Sequence, residues 1–313
     1  MKRVTFLGPQ RLQPTLAASL ESLHITGRIA TVTAGWQERE PDDRELHEHL
    51  SGRSVNLRLW ERAETTFLQD PELAAAHRHR QERLRGMQDA YDLRLRHAIA
   101  AVLELRRRRG DRVDGTAAGD VNTEETAAAI EAVRDLDARH LDRVRAVHAE
   151  FDAAWRPQTR DAVRRQIDAI TALLGDAEAV AIAGGHVAVL LNRLLLFDLA
   201  TLIGDRSVVA WSAGAMVVCE RVILFHDHPP QGPGNAEVME AGLGLVRDVV
   251  PLPHARRRLD LEDRERVGLF AIRFAPAACI PMNEGARVDI VASGWTAPAA
   301  TLRLQPDGVV GAA

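Results

Sequence analysis

Residues Val208 to Met216 read VVAWSAGAM: a β-branched run, a serine with small neighbours, then an apolar helix start. A serine at a sharp strand-to-helix turn is pushed clear of the backbone, where its Oγ can attack a carbonyl. Ala210 and Gly214 are small enough to let strand and helix approach. The amide of Ala213, at a helix N-terminus, can donate to a developing oxyanion. Taken alone, A-x-S-x-G also describes a serine that only caps a helix. A second cluster, His226-Asp227-His228 with His186 and His254, contains metal-ligand residue types. On one strand His226 and His228 share a face and Asp227 points the other way, so H-D-H does not chelate as a simple triplet, and no metal is expected.

Composition removes other chemistries. Of 40 Lys+Arg, Lys2 is the sole lysine, leaving 39 arginines. A GxxxxGK[ST] phosphate loop, a Schiff-base lysine and a lysine general base all need a lysine in the chain interior. Two cysteines, Cys219 and Cys279, are too few for a disulfide framework or a cysteine-based zinc site, which points to a reducing cytoplasm. The apolar run before Pro9 is too short for a signal-peptide core, and no uncharged stretch reaches the ~18 residues of a membrane span. A net charge of -4 offers no general field for nucleic acid.

The flanking segments show what must position Ser212. Val4 to Leu7, Arg28 to Ala34 and Ser54 to Trp60 read as strands, with helical spacing from Leu12 to Leu23 between the first two. This is a βαβ beginning. From Glu61 to Gly175 the chain turns charged and helical. Pro71 to Arg109 reads as one long helix, a Gly-Asp-rich break follows at 110–120, Asn122-Thr-Glu-Glu125 resembles a capped start running to Trp155, and Pro157 begins a third helix. Arg106 to Arg109 reads as a solvated helix end. Strand AVAIA (179–183), a Gly184-Gly185 turn, an apolar helix over 187–199 and strand SVVA (207–210) then restore the α/β pattern.

WSAGAMVVC, with Asp227 fifteen residues after Ser212, resembles the aspartyl dipeptidase (dipeptidase E) and cyanophycinase family of serine peptidases. Gly242 to Leu259 (GLGLVRDVVPLPHARRRL) is similar to that family's segment leading to its catalytic histidine. Ile280 to Gly285 (IPMNEG) resembles its glutamate-glycine turn, and AGGHVAVLL (183–191) its glycine-rich loop. The resemblance is strong from Gly184 to Gly285, weak before Trp60 and absent over the helical segment. It implies a class I glutamine amidotransferase-like, flavodoxin-like fold: a doubly wound, mostly parallel α/β sheet built from residues 1–60 and 176–313, with 61–175 as an antiparallel helical insertion.

Carried onto this chain, the resemblance implies Ser212 as nucleophile, His254 as its base, and Gly185 with Ala213 as oxyanion-hole amides. Asp227, favoured, or Glu284 would be the carboxylate that holds the imidazole. Glutamine amidotransferase chemistry is disfavoured, because it uses a cysteine where this chain has Ser212. Gly184, His186 and Trp211 fall beside the expected site. Arg256 and Arg258 are candidates to receive a substrate carboxylate by bidentate contacts, although three consecutive arginines cannot all face one pocket. Two positions depart from the family pattern: Ala210 stands where glycine is usual, and His186 where Asn or Asp is usual. The expected activity is hydrolysis of small aspartyl-type peptides or isopeptides through an acyl-enzyme, with no cofactor, no nucleic-acid or membrane partner, and a homodimer possible through the insertion. The alternative is a catalytically idle α/β domain that serves as a scaffold through its helices.

Overall fold

The computed structural model describes the backbone of residues 3–110, 117–226 and 234–313, with side chains over the same spans except 109, 110 and 117–120. Short Val-, Ile- and Ala-rich runs become parallel strands where other elements cover both faces. Strands β1 (Val4–Leu7), β2 (Arg28–Val32), β3 (Ser54–Asn56), β4 (Ala177–Ile182) and β5 (Ser207–Trp211) lie parallel in the order β1-β5-β4-β2-β3. Strands β6 (Arg221–Leu224) and β7 (Glu237–Ala241) form an antiparallel hairpin, and β8 (Val249–Pro253) and β9 (Ala278–Met282) a separate parallel pair. Strands β10 (Arg287–Val291) and β11 (Gly294–Thr296) extend the main sheet antiparallel beyond β1, giving seven strands in all. A ribbon of β12 (Leu302–Leu304) and β13 (Val310–Ala312) follows. This is the mostly parallel α/β architecture expected.

Helices α1 (Leu16–Ser22) and α2 (Arg44–His49) belong to the N-terminal part. The helical spacing from Leu12 is realised only from Leu16, because Pro14 has no N–H and the Gln10 side chain takes the amides of Thr15 and Leu16. The third strand stops at Asn56, short of Trp60, where Arg58 turns left-handed into α3 (Leu59–Gln69).

Helices α4 (Pro71–Gly110) and α5 (Ala117–Trp155) are 40 and 39 residues long, each about 60 Å at 1.5 Å per residue. They run antiparallel. Arg83 meets Glu150, Gln88 meets His140, Tyr91 meets Asp137 and the carbonyl of Leu105 meets Asn122, so position along one helix rises as it falls along the other. Asn122 is not the helix start expected of it: α5 already runs from Ala117, and the Asn122 amide is satisfied across the pair instead. Arg107 and Arg108 sit exposed on Glu104, as a solvated end should, whereas the expected break mostly lies outside the described residues.

After α6 (Asp161–Gly175), the second half of the chain adds α7 (Val187–Leu196), α8 (Leu199–Leu202), α9 (Ala213–Val218), α10 (Ala255–Arg258) and α11 (Arg264–Phe274). The long helices are continuous with the core. Leu73, Phe151, Val163 and Ile170 share one buried cluster with Val180 and Ile182 of β4. Tyr91, Leu95 and Leu136 share another with β6 to β9 and α11. At the second junction Arg273 is buried and forks onto both Asp137 oxygens at 2.7 Å, while Tyr91 donates to Asp137 at 2.8 Å. Among the described residues, no helix is long and apolar enough to cross a membrane.

Candidate active site

Strand β5 ends in the interior of the sheet, and α9 begins two residues after its last strand position. The turn between them is a single residue, Ser212, at φ 52°, ψ -127°. An L side chain rarely adopts that conformation, and it is the geometry that sets an Oγ free of the backbone. Neighbouring glycines make room for it. A Cβ on Gly214 would strike the carbonyl oxygens of Ile182 and Ala183 at the end of β4, and one on Gly184 would come within 2.6 Å of Ser212 Cβ. Ala210 is fully buried on β5, so its methyl is accommodated in place of the family's glycine.

His254 follows the last residue of β8 in a left-handed turn, φ 56°, ψ 35°. Its amide donates to the carbonyl of Met282 on β9 at 3.1 Å, so the β8–β9 ladder fixes where the imidazole starts. Its Nε2 lies 3.4 Å from Ser212 Oγ. Burial depresses the imidazole pKa most, and Arg258 and then Arg257 act in the same sense, against Glu284. The result is below the ordinary 6.5, which leaves a neutral ring at pH 7, able to accept a proton.

Glu284 lies exposed in the turn after β9 and reaches His254 through its field, without a hydrogen bond. Asp227 and His228 lie outside the described residues. Among those described, no three His, Cys, Asp or Glu side chains gather as a metal-holding group. Cys219 is buried, and burial pushes its thiol pKa up, so it presents no nucleophile.

Gly185 takes φ 118°, and a Cβ there would collide with the backbone of Gly35, just past β2. The two backbones are also joined by the His186 amide, which donates to Gly35 O at 2.7 Å. The Gly185 amide itself has no acceptor among the described residues, and Ala213 is the first helical residue of α9, where an N–H has no intrahelical partner.

Ser212 and His254 open onto a cleft of about 890 Å³. Gly184, Gly185, Trp211, Ala213 and Arg258 line it. Arg258 is partly buried, its Cζ 5.9 Å from the Phe225 ring centroid, and burial lowers its pKa. His186 and Arg256 are not brought in. His186 is exposed and its Nδ1 caps α7 by accepting the Val189 amide, while Arg256 is exposed and its amide is tied to Asn283 Oδ1. The opposite wall, from Pro9 to His49, is absent from the sequence-based site. Its signal was Gly35-Trp36 at the carboxyl end of a parallel strand, where open α/β sheets bind ligands.

The solved structure of a peptidase from an acI-B1 Actinobacterium is 13% identical to this chain, over 98% of this chain and 91% of that one, with a TM-score of 0.47. No curated protein matches the chain. The sequence model of peptidase family S51 matches residues 127–295, more than half of the 313, and Ser212, His254 and Glu284 all fall inside that span. The elbow and the histidine beside it therefore lie within one family's sequence pattern, and the chain belongs to peptidase family S51, a family of serine peptidases.

Proposed function

We propose that the chain hydrolyses small peptides or isopeptides of aspartyl character through an acyl-enzyme on Ser212. The observation that carries this reading is the approach of His254 Nε2 to Ser212 Oγ, 3.4 Å, at a strained elbow. His254 takes the hydroxyl proton as Oγ attacks the carbonyl, and the amides of Gly185 and Ala213 receive the oxyanion. The imidazolium then protonates the departing amine, and a water activated by the same ring releases the acid. Asp227 or Glu284 steadies the imidazolium; the field of Glu284 at His254 supports a part for it. Arg258 supports the aspartyl preference. It is a cation without an ion-pair partner among the described residues, in the same cleft as the nucleophile and close enough to depress the pKa of His254.

A fluorophosphonate probe should label the wild type and not Ser212→Ala, and hydrolysis of α- or β-aspartyl dipeptides should fall by about 10⁴-fold or more in that variant. Dipeptide hydrolysis that survives Ser212→Ala would sink the proposal.

A further inference from the structure

The cleft is larger than a dipeptide requires, and half of it is built by residues 9–49, which lie outside the span matched by the family. Sites for drug-sized ligands run from about 300 to 1,000 Å³, and this one, at about 890 Å³, lies near the top of that range. Hydrogen bonds tie its far wall together. The Gln10 side chain accepts the amides of Thr15 and Leu16 at 2.7 and 2.8 Å and donates to Gly8 O and Thr15 Oγ1, which locks the loop that presents Pro9, Arg11 and Pro14. The next turn, Ala34–Arg39, holds Gln37 at φ 57°, ψ -127°, nearly the conformation of Ser212. That turn presents Trp36 to the cleft beside Trp211, with which it shares an apolar cluster, and its Gly35 is clamped to the Gly184–His186 loop.

The charges on this wall are unevenly paired. Arg39 is neutralised by Asp42 at 3.2 Å. Arg11 and Glu45 have no ion-pair partner among the described residues, and Arg11 stands on the locked loop at the cleft. We infer that residues 9–49 form a second recognition subsite, which binds substrate residues beyond the scissile pair: Trp36 is its contact surface and Arg11 pairs with a substrate carboxylate. The substrate class is then an oligopeptide of three or more residues with a carboxylate placed to meet Arg11. The inference rests on the peptidase reading above.

The test is steady-state hydrolysis of an Asp-Leu dipeptide and of pentapeptides lengthened from it at either end, with either Glu or Lys in the extension. Wild type should show the lower KM on one pentapeptide series, with a threefold to fivefold preference for Glu, roughly the size of an exposed ion pair. Trp36→Ala should raise that KM about tenfold and leave the dipeptide unchanged. Arg11→Glu should erase or reverse the Glu preference. Equal KM for dipeptide and pentapeptides, equal loss on both in Trp36→Ala, or a wild-type preference for Lys would overturn the subsite. If no peptide of either length is cleaved in a Ser212-dependent way, the peptidase reading itself fails.

Discussion

Ser212 and His254 each hold a positive φ, 52° and 56°, on opposite sides of the 3.4 Å gap between Oγ and Nε2. Such residues cost of order 1–3 kcal/mol each and persist where the surrounding structure over-determines them. Here the glycines around the elbow and the Met282 carbonyl under His254 do so. The pH dependence follows from the groups around the imidazole. A base must be deprotonated, so kcat/KM should rise with pH along an acid limb set by His254, and that limb should lie below 6.5. Arg258 depresses the pKa and Glu284 raises it. Arg258→Ala should therefore move the limb to higher pH, and Glu284→Gln should move it lower; a pH–rate profile of each variant checks both signs. The identity of Ser212 was legible in the small residues around it, a local pattern. The place of Arg256 was not, because Arg256 and Arg258 lie two residues apart on a one-turn helix and packing decides which of them is turned in.

Among the elements, the junction of α3, α4, α5 and α7 carries an acid-sensitive group. His77 on α4 is buried between Phe67 and Phe151, ring centroids 5.0 and 6.4 Å away, with Arg80 over Phe151 and Arg193 over Phe67. Its Nε2 has no hydrogen-bond partner among the described residues. Burial, reinforced by Arg80 and Arg193, lowers its pKa to about 3. The unfolded chain takes up a proton at about 6.5 that the folded state refuses until about pH 3. Stability is thus undiminished above 6.5 and falls through the window below it, by up to about 1.4 kcal/mol per pH unit. Urea denaturation between pH 7 and 4.5 should show this slope, and His77→Leu should flatten it. The helices themselves were legible where no Gly or Pro but Gly86 interrupts Pro71 to Arg109. The start of α5 was misread at Asn122, since a capping residue and a residue bonded to a neighbouring helix look alike in one dimension.

At the level of the whole molecule, the long helical pair is joined through Arg273 to the half that carries Ser212 and His254. That guanidinium and Asp137 are each 4% exposed, and Tyr91 is 3% exposed. Arg273 also donates to Ala236 O at 2.6 Å, next to β7. Removing one partner of such a buried pair strands the other, so Asp137→Ala should cost about 3–5 kcal/mol in denaturant unfolding. Asp137→Leu with Arg273→Met should recover most of it, since an apolar pair leaves no buried charge.

What the sequence by itself determined is local: the run of strand, serine and helix, the alternation of apolar runs and turns that makes an α/β sheet, the long helices, and the lysine-dependent chemistries that one lysine excludes. These depend on residue type and on neighbours within a turn. Only the tertiary structure decided that Nε2 of His254 stands 3.4 Å from Ser212, 42 residues away, that His186 caps a helix, and that residues 9–49 wall the cleft. Those outcomes are set by desolvation and close packing between segments far apart in the chain, and no local propensity encodes them.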